Sequence, residues 1–130
     1  MNAIGLHRPT VGGIGGRTAE GADSIVLNGG YKDDQDLGDR IIYTGMGGQD
    51  TRHNQVADQD WTTPANAALR RNAETGLPVR VIRGWRAKNR FSPPIGFRYE
   101  GLYLVTDARL AKSTDGPTIC QFVLERAADQ

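Results

Sequence analysis

Gly29-Gly30-Tyr31-Lys32-Asp33-Asp34-Gln35-Asp36-Leu37-Gly38-Asp39-Arg40-Ile41-Ile42-Tyr43-Thr44-Gly45-Met46-Gly47-Gly48 is the stretch on which the reading of this chain turns. Two tyrosines bracket a run of aspartates, and glycine pairs close both ends. Just upstream, Ser24-Ile25-Val26-Leu27 reads as a short buried strand, and Arg40-Ile41-Ile42-Tyr43-Thr44 reads as another. The acidic segment between them is then a turn or tight loop, which brings Tyr31 and Tyr43 back toward each other with an aspartate between. Two aromatic faces and a carboxylate suit a flat, hydrogen-bond-donating ring, such as a nucleobase taken out of its stack. The same residue types also serve a plainer purpose: tyrosines beside a hairpin pack across strands, and aspartates in turns accept from backbone amides. Both readings stand at this point. A calcium loop does not: counted from Asp34, position six is Asp39 rather than Gly, and position twelve is Gly45 rather than Glu.

The chain of 130 residues is expected to form one domain, 1–130, large enough for a core without disulfide or metal staples. Seventeen glycines and six prolines among few long apolar runs argue for many short strands and turns. No stretch approaches a membrane span, and the N-terminus lacks the apolar core of a signal peptide, so an intracellular location is expected. The single cysteine, Cys120, lies in an apolar run and reads as a buried small hydrophobe, a free thiol consistent with a reducing interior. Net charge is only +1, but its distribution is uneven. Acidic residues dominate from Glu20 to Asp60, whereas Arg70, Arg71, Arg80, Arg83, Arg86, Lys88, Arg90 and Arg98 face only Glu74 in the next stretch. A basic half of this kind tracks a phosphate backbone or forms a solvated face.

Outward from the central stretch, residues 6–17 are glycine-rich but match neither a dinucleotide fingerprint, since Thr18 stands where the third Gly belongs, nor a phosphate loop. Residues 49–59 are polar and aperiodic, the pattern of a functional or disordered loop. One helix is expected, with Thr63 as N-cap, Pro64 as first residue, Gly76 as stop, and Ala65, Ala68 and Leu69 on its packed side. Further strands are expected over residues 77–84, with Arg80 pointing away from Val79 and Val81, over 97–107, and over 116–126. Residues 85–96 form a basic, proline-containing excursion between them. The sum is an α+β, β-dominant fold: a curved sheet or open barrel with one or two flanking helices.

His7-Arg8-Pro9, Gly29-Gly30-Tyr31, Asp33-Asp34, Tyr43-Thr44-Gly45, Gly47-Gly48, Pro78-Val79-Arg80-Val81 and Arg98-Tyr99-Glu100-Gly101, in that order and near that spacing, resemble the SRA domain. This is the SET- and RING-associated module, also called the YDG domain. Its defining Tyr-Asp-Gly stands here as Tyr99-Glu100-Gly101, a departure expected to touch a structural turn rather than the pocket. The resemblance implies an SRA-type, PUA-like fold that flips 5-methylcytosine out of duplex DNA into a concave pocket. Carried over by position, Tyr31 and Tyr43 would sandwich the ring, and Asp34 would accept from the exocyclic amine. Backbone at Gly30 and the side chain of Thr44 would complete the edge contacts, and Asn28 stands at the pocket entry. Val11 would be the wedge of a minor-groove loop. The major-groove loop would be residues 51–59, with Arg52, His53, Asn54 and Gln55 as tip candidates. That loop is shorter than in the best-known eukaryotic members, so looser sequence context is implied than a hemimethylated CpG. With DNA as partner, Arg8, Arg17, Arg83, Arg86, Lys88 and Arg90 become candidate phosphate contacts. A methyl niche adds roughly 1–3 kcal/mol, so selectivity over cytosine of about tenfold to a hundredfold follows.

No catalytic constellation accompanies these motifs. The only histidines are His7, which reads as structural beside Arg8-Pro9, and His53, so there is no His-Asn-His nuclease centre. No acidic metal cluster of convincing spacing is present, nor the His-x-Glu with Cys-x-x-Cys of a zinc deaminase. The expectation is a binding module without cofactor or metal that targets a separate nuclease domain, of the kind found in bacterial modification-dependent HNH endonucleases. Hydroxymethylcytosine is a possible second ligand. A protein-interaction or structural domain with only non-specific DNA binding is the competing class. The compartment would be the bacterial cytoplasm and nucleoid, or the nucleus in a eukaryote.

Overall fold

The structure, a computed structural model, describes residues 14–15, 21–29, 31–52, 54–87 and 90–128. Seven strands form one sheet. They are β1 (Ile14–Gly15), β2 (Ser24–Leu27), β3 (Gln35–Asp36), β4 (Arg40–Thr44), β5 (Val79–Gly84), β6 (Phe97–Lys112) and β7 (Thr118–Arg126). Their order across the sheet is β1-β2-β5-β6-β7-β4-β3. Every pairing is antiparallel except β2 with β5. The expected strands are all present. β6 runs further than residue 107 because its two halves have different partners, β5 over the first and β7 over the second. The two-residue strands β1 and β3, too short to leave a periodic signal, lie at the sheet edges.

Helix α1 (Pro64–Thr75) matches the expected bounds, with Gly76 as C-cap; Thr63 holds the N-cap position, but its side chain makes no capping bond. Its packed face contains two asparagines as well as Ala65, Ala68 and Leu69. Both asparagines serve backbone that would otherwise be unsatisfied in the interior. Asn72 accepts from the Ala22 amide at 2.7 Å and donates to the Ala22 and Leu77 carbonyls. Asn66 accepts from the Met46 amide at 2.7 Å and donates to the Met46 and Asp60 carbonyls. The helix thereby ties the segment leading into β2 and the C-terminal end of the central stretch to the core. Trp61 adds an edge-on contact to Phe122, with Arg70 over its other face. Cys120 is buried, as read, and burial pushes its thiol up to about 11.

The Tyr99-Glu100-Gly101 motif forms a bulge. Val81 pairs with Gly101 and Ile82 with Tyr99, leaving Glu100 as the extra residue. Gly101 takes a φ of 106°, which side chains with a Cβ rarely adopt. The bulge presents Glu100 to Arg83, whose Nη1 lies 3.0 Å from Glu100 Oε1. Arg83 also donates through Nε to Asp36 Oδ2 at 2.7 Å, and through Nη2 to Asp36 Oδ1 at 2.9 Å and the Gly38 carbonyl at 2.8 Å. Tyr103 donates to the same carbonyl at 2.7 Å and accepts from Arg126. Arg83 was expected on DNA phosphate; it is instead only 2% exposed and belongs to the interior. Burial alone would lower its pKa, but the bonds and charge of Asp36 outweigh that and raise it.

Breaking a buried ion pair by removing one partner costs about 3–5 kcal/mol, because the other charge stays buried. Arg83→Met should lower unfolding stability by about that amount in urea titration, whereas the exposed Arg86→Ala should change it by less than about 0.5 kcal/mol. Equal, small effects would contradict the interior role of Arg83.

Candidate nucleic-acid interface

The segment after β2 and the end of β4 carry the candidate pocket residues, Tyr31 and Asp34 on the first and Tyr43 and Thr44 on the second. The Asp34 amide donates to the Tyr31 carbonyl at 3.3 Å, closing a tight turn. Asp34 Oδ1 then accepts from the Thr44 amide at 2.7 Å, across ten residues. The Tyr31 hydroxyl accepts from the Gly47 amide at 3.3 Å. These bonds bring Tyr31, Asp34, Tyr43 and Thr44 together, as the sequence implied. The four groups also sense each other electrostatically. Burial raises the Tyr43 phenol well above its usual range, and the charge of Asp34 and then Tyr31 add to it. Tyr31 is raised chiefly by burial, less by Asp34. Tyr43 is 3% exposed and packs in the hydrophobic core.

Asp34 is half-buried as a residue, but its carboxyl sits deep enough that burial pushes its pKa up to about 7. The Thr44 contacts oppose that rise, and the negative charge of Asp33 adds to it. The Thr44 hydroxyl is close enough to favour the carboxylate, yet its geometry completes no hydrogen bond, leaving a buried oxygen without a partner. A buried unpaired hydroxyl beside a carboxylate with one oxygen already anchored is an unfinished polar site. It can take a ligand edge that both donates and accepts.

The neighbouring loop is organised by buried amides. Gln59 donates to the Gly45 carbonyl at 2.7 Å and accepts from the Cys120 amide at 2.9 Å. Gln55 donates to the Gly47 and Ala57 carbonyls. Gln55, expected at the tip of a groove loop, is 5% exposed and holds the loop base instead. Gly48 is needed here: its φ is 73°, and a Cβ would lie 2.3 Å from the Ala57 carbonyl oxygen. Gln49 and Gln55 bridge, and Asp50 accepts from the Arg52 and Asn54 amides, so the described residues of this stretch, 49–52 and 54–55, pair as a small hairpin with Arg52 exposed. Asn54 is engaged, accepting from Lys32 at 2.6 Å.

Asn28 Oδ1 accepts from the Arg86 amide at 3.0 Å, which commits that oxygen to the seam between β2 and β5. Arg86 and Arg90 are exposed, each over an aromatic ring, Trp85 and Phe91 respectively. Both remain suited to phosphate. Arg8, Val11, Arg17, Gly30, His53 and Lys88 lie outside the described residues. Among the described residues, no group of three or more His, Cys, Asp or Glu could hold a metal, and no helix is long and apolar enough to cross a membrane.

Sequence reading missed the residues that join these parts: Lys32, Asp33, Thr114 and Asp115. Asp33 accepts from the Thr114 amide and hydroxyl at 2.9 and 2.7 Å. Asp115 accepts from Lys32 at 3.0 Å and from the Gln55 amide at 2.8 Å. The available signal was Ser113-Thr114-Asp115-Gly116, which marks a turn but not the distant partners of that turn.

The raised Asp34 has a thermal consequence. An unfolded aspartate titrates near 4, so between about pH 4 and 7 the folded chain holds the extra proton. Asp34 therefore favours the folded state most below about pH 4; stability falls as pH rises from about 4 to about 7 and levels off above that. Asp34→Asn removes this dependence. Its Tm relative to the unsubstituted protein should increase from about pH 4 to about pH 7 and then flatten; a constant difference across that range would contradict the buried carboxyl.

With this geometry in hand, comparison with known proteins identifies its kin. A family model described as the SAD/SRA domain matches residues 1–130. The chain is 46% identical to a UHRF1-like protein of Cryptococcus neoformans var. grubii, covering 99% of this chain and 41% of that protein. It is 40% identical to the histone-lysine N-methyltransferase family member SUVH2 of Arabidopsis thaliana, over 98% of this chain and 20% of that protein. The chain thus spans less than half the length of these relatives. Among solved structures, the modification-dependent TagI restriction endonuclease superposes with a TM-score of 0.88 at 51% identity, over 96% of this chain and 45% of that one. The SUVH5 SRA in complex with methylated CHH DNA gives 0.77 at 34% identity, over 99% of this chain and 82% of that one. The same domain bound to hydroxymethylated CG DNA gives 0.76 at 36%, over 99% and 83%. From motif order, fold and full-length match together, the chain belongs to the SAD/SRA domain family.

Proposed function

We propose that this chain is a reader of modified cytosine in duplex DNA, which it takes out of the stack into the Tyr31–Asp34–Tyr43–Thr44 site. The observation that carries the reading is the Asp34 carboxylate, anchored by the Thr44 amide with a buried, unpartnered Thr44 hydroxyl beside it. A cytosine edge offers an amine donor next to ring acceptors, which matches a carboxylate beside a hydroxyl. A pyrimidine with a 5-substituent fills an aromatic-walled site better than an unmodified one. The solved complexes of a relative with methylated and hydroxymethylated DNA support this ligand class. Arg86 and Arg90 would engage phosphate, and the hairpin at residues 49–55 would approach the duplex beside the extruded base.

The chain acts here by binding. An output domain, such as the HNH nuclease of a modification-dependent endonuclease, would be supplied by sequence beyond the SRA region. The 45% coverage of TagI supports that arrangement. The working compartment would be one that holds DNA.

The test is a titration of matched duplexes at fixed salt, differing only in one cytosine: unmodified, 5-methyl or 5-hydroxymethyl. Methylated probes should bind about tenfold to a hundredfold more tightly than unmodified ones. Asp34→Asn, which keeps an acceptor for the Thr44 amide, should remove about 1–3 kcal/mol of that binding without lowering Tm at neutral pH. Equal, salt-sensitive binding to every probe would leave only non-specific phosphate contact, and no binding would favour a protein-interaction domain.

A further inference from the structure

Extruding a base from a duplex leaves a gap beside the pocket, so any element that approaches this gap must be held at a fixed offset from the pocket. The hairpin around Gln49–Gln55 is an exposed element close in connectivity to the pocket turn; besides the Gln55 side chain's bonds to the Gly47 and Ala57 carbonyls, it is tied to one more place. That place is the turn between β6 and β7, at residues 113–116. From one side, Asp33, the neighbour of Asp34, accepts from Thr114 through both amide and hydroxyl. From the other side, the Gln55 amide donates to Asp115 Oδ2 at 2.8 Å. Lys32, the neighbour of Tyr31, closes the triangle, donating to Asp115 Oδ1 at 3.0 Å and Asn54 Oδ1 at 2.6 Å. The turn itself is rigid: Ser113 donates to the Pro117 carbonyl and Gly116 to that of Ser113.

The geometry also explains why so many carboxylates can lie near a surface that meets DNA. Asp33, Asp50 and Asp115 each accept from backbone amides, and Asp115 has Lys32 against it as well. The amide bonds hold the Asp50 and Asp115 carboxyls below the usual range, Lys32 assisting at both. These groups are scaffolding, and their charges are partly neutralised where they stand.

We propose that the turn at residues 113–116 is a positioning latch, with Asp115 and Lys32 fixing the 49–55 hairpin against the pocket turn. The proposal rests on the base-extrusion reading above. Asp115 touches no base in this scheme; it acts through Gln55, Asn54 and Lys32. Its removal should therefore impair the step that opens the pair and fills the gap, not recognition of a base that is already free.

The test compares two probes carrying the same 5-methylcytosine, one paired with guanine and one opposite an abasic site, where no pair has to be broken. Asp115→Ala should weaken binding to the paired probe roughly threefold to thirtyfold, with a much smaller loss on the abasic probe. Asp115→Asn, which keeps an acceptor for the Gln55 amide, should recover most of the loss. Hydrogen exchange at the Gln55 amide should quicken in the alanine variant, showing that the latch has opened. If exchange quickens while both probes bind as before, or lose affinity equally, the latch has no positioning role. If the unsubstituted protein fails to prefer either methylated probe over its unmodified counterpart, the base-reading fails first and the latch with it. An intact preference with no effect of Asp115→Ala overturns the latch alone.

Discussion

The buried fork between Arg83 and Asp36 is the constraint on which this architecture depends. Arg83 lies on β5 and Asp36 on β3, four places apart in the sheet. In a flat sheet that separation is about 19 Å, far beyond the reach of two side chains. Their bidentate contact therefore requires the sheet to curl until its edge strand folds over its middle. No strand pairing closes the sheet among the described residues; side chains do. Glu100, Tyr103, Arg126 and the Gly38 carbonyl complete the hydrogen bonding, so that little of this buried charge is left unpaired. The β3–β4 turn held this way leads straight into the strand that ends at Tyr43 and Thr44.

A second theme is what the carboxylates do. Asp34, Asp36, Asp50, Asp58, Asp60 and Asp115 each accept from a backbone amide. The acidic stretch is a set of turn-builders, the plainer of the two roles its aspartates offered in sequence. Asp34 is the member with a strongly raised pKa, and it is the group proposed to meet the cytosine amine. A carboxyl that destabilises the fold near neutral pH is characteristic of a binding site, where the structure is tuned for the ligand rather than for itself.

Elements with local signals were legible in the sequence. β2 and β4 declared themselves as apolar β-branched runs, and α1 by its Pro64 start and Gly76 stop. The proximity of Tyr31, Asp34, Tyr43 and Thr44 was legible as well, since they lie on one hairpin-like segment. Contacts between distant residues were not. Arg83 read as one cation in a basic run because nothing local reports Asp36, 47 residues earlier. Gln55 read as a polar loop residue, although its amide satisfies two carbonyls inside the loop. The same blindness hid Asp115, and the asparagines of α1 interrupted an apolar stripe while being part of its buried face. The bulge at Glu100 explains why alternation fails along β5: the register shift at Val81 and Ile82 lets Arg83 be buried alongside apolar neighbours.

The most direct test of base extrusion is spectroscopic. A duplex carrying one 5-methylcytosine labelled with carbon-13 at its methyl group would be followed by NMR on adding the protein. Enclosure between Tyr31 and Tyr43 predicts a ring-current displacement of the methyl resonance outside its duplex range, with cross-relaxation to tyrosine ring protons and loss of both in Asp34→Ala. A methyl resonance that stays in its duplex position at saturation, with no tyrosine contact, would mean that the base never leaves the stack.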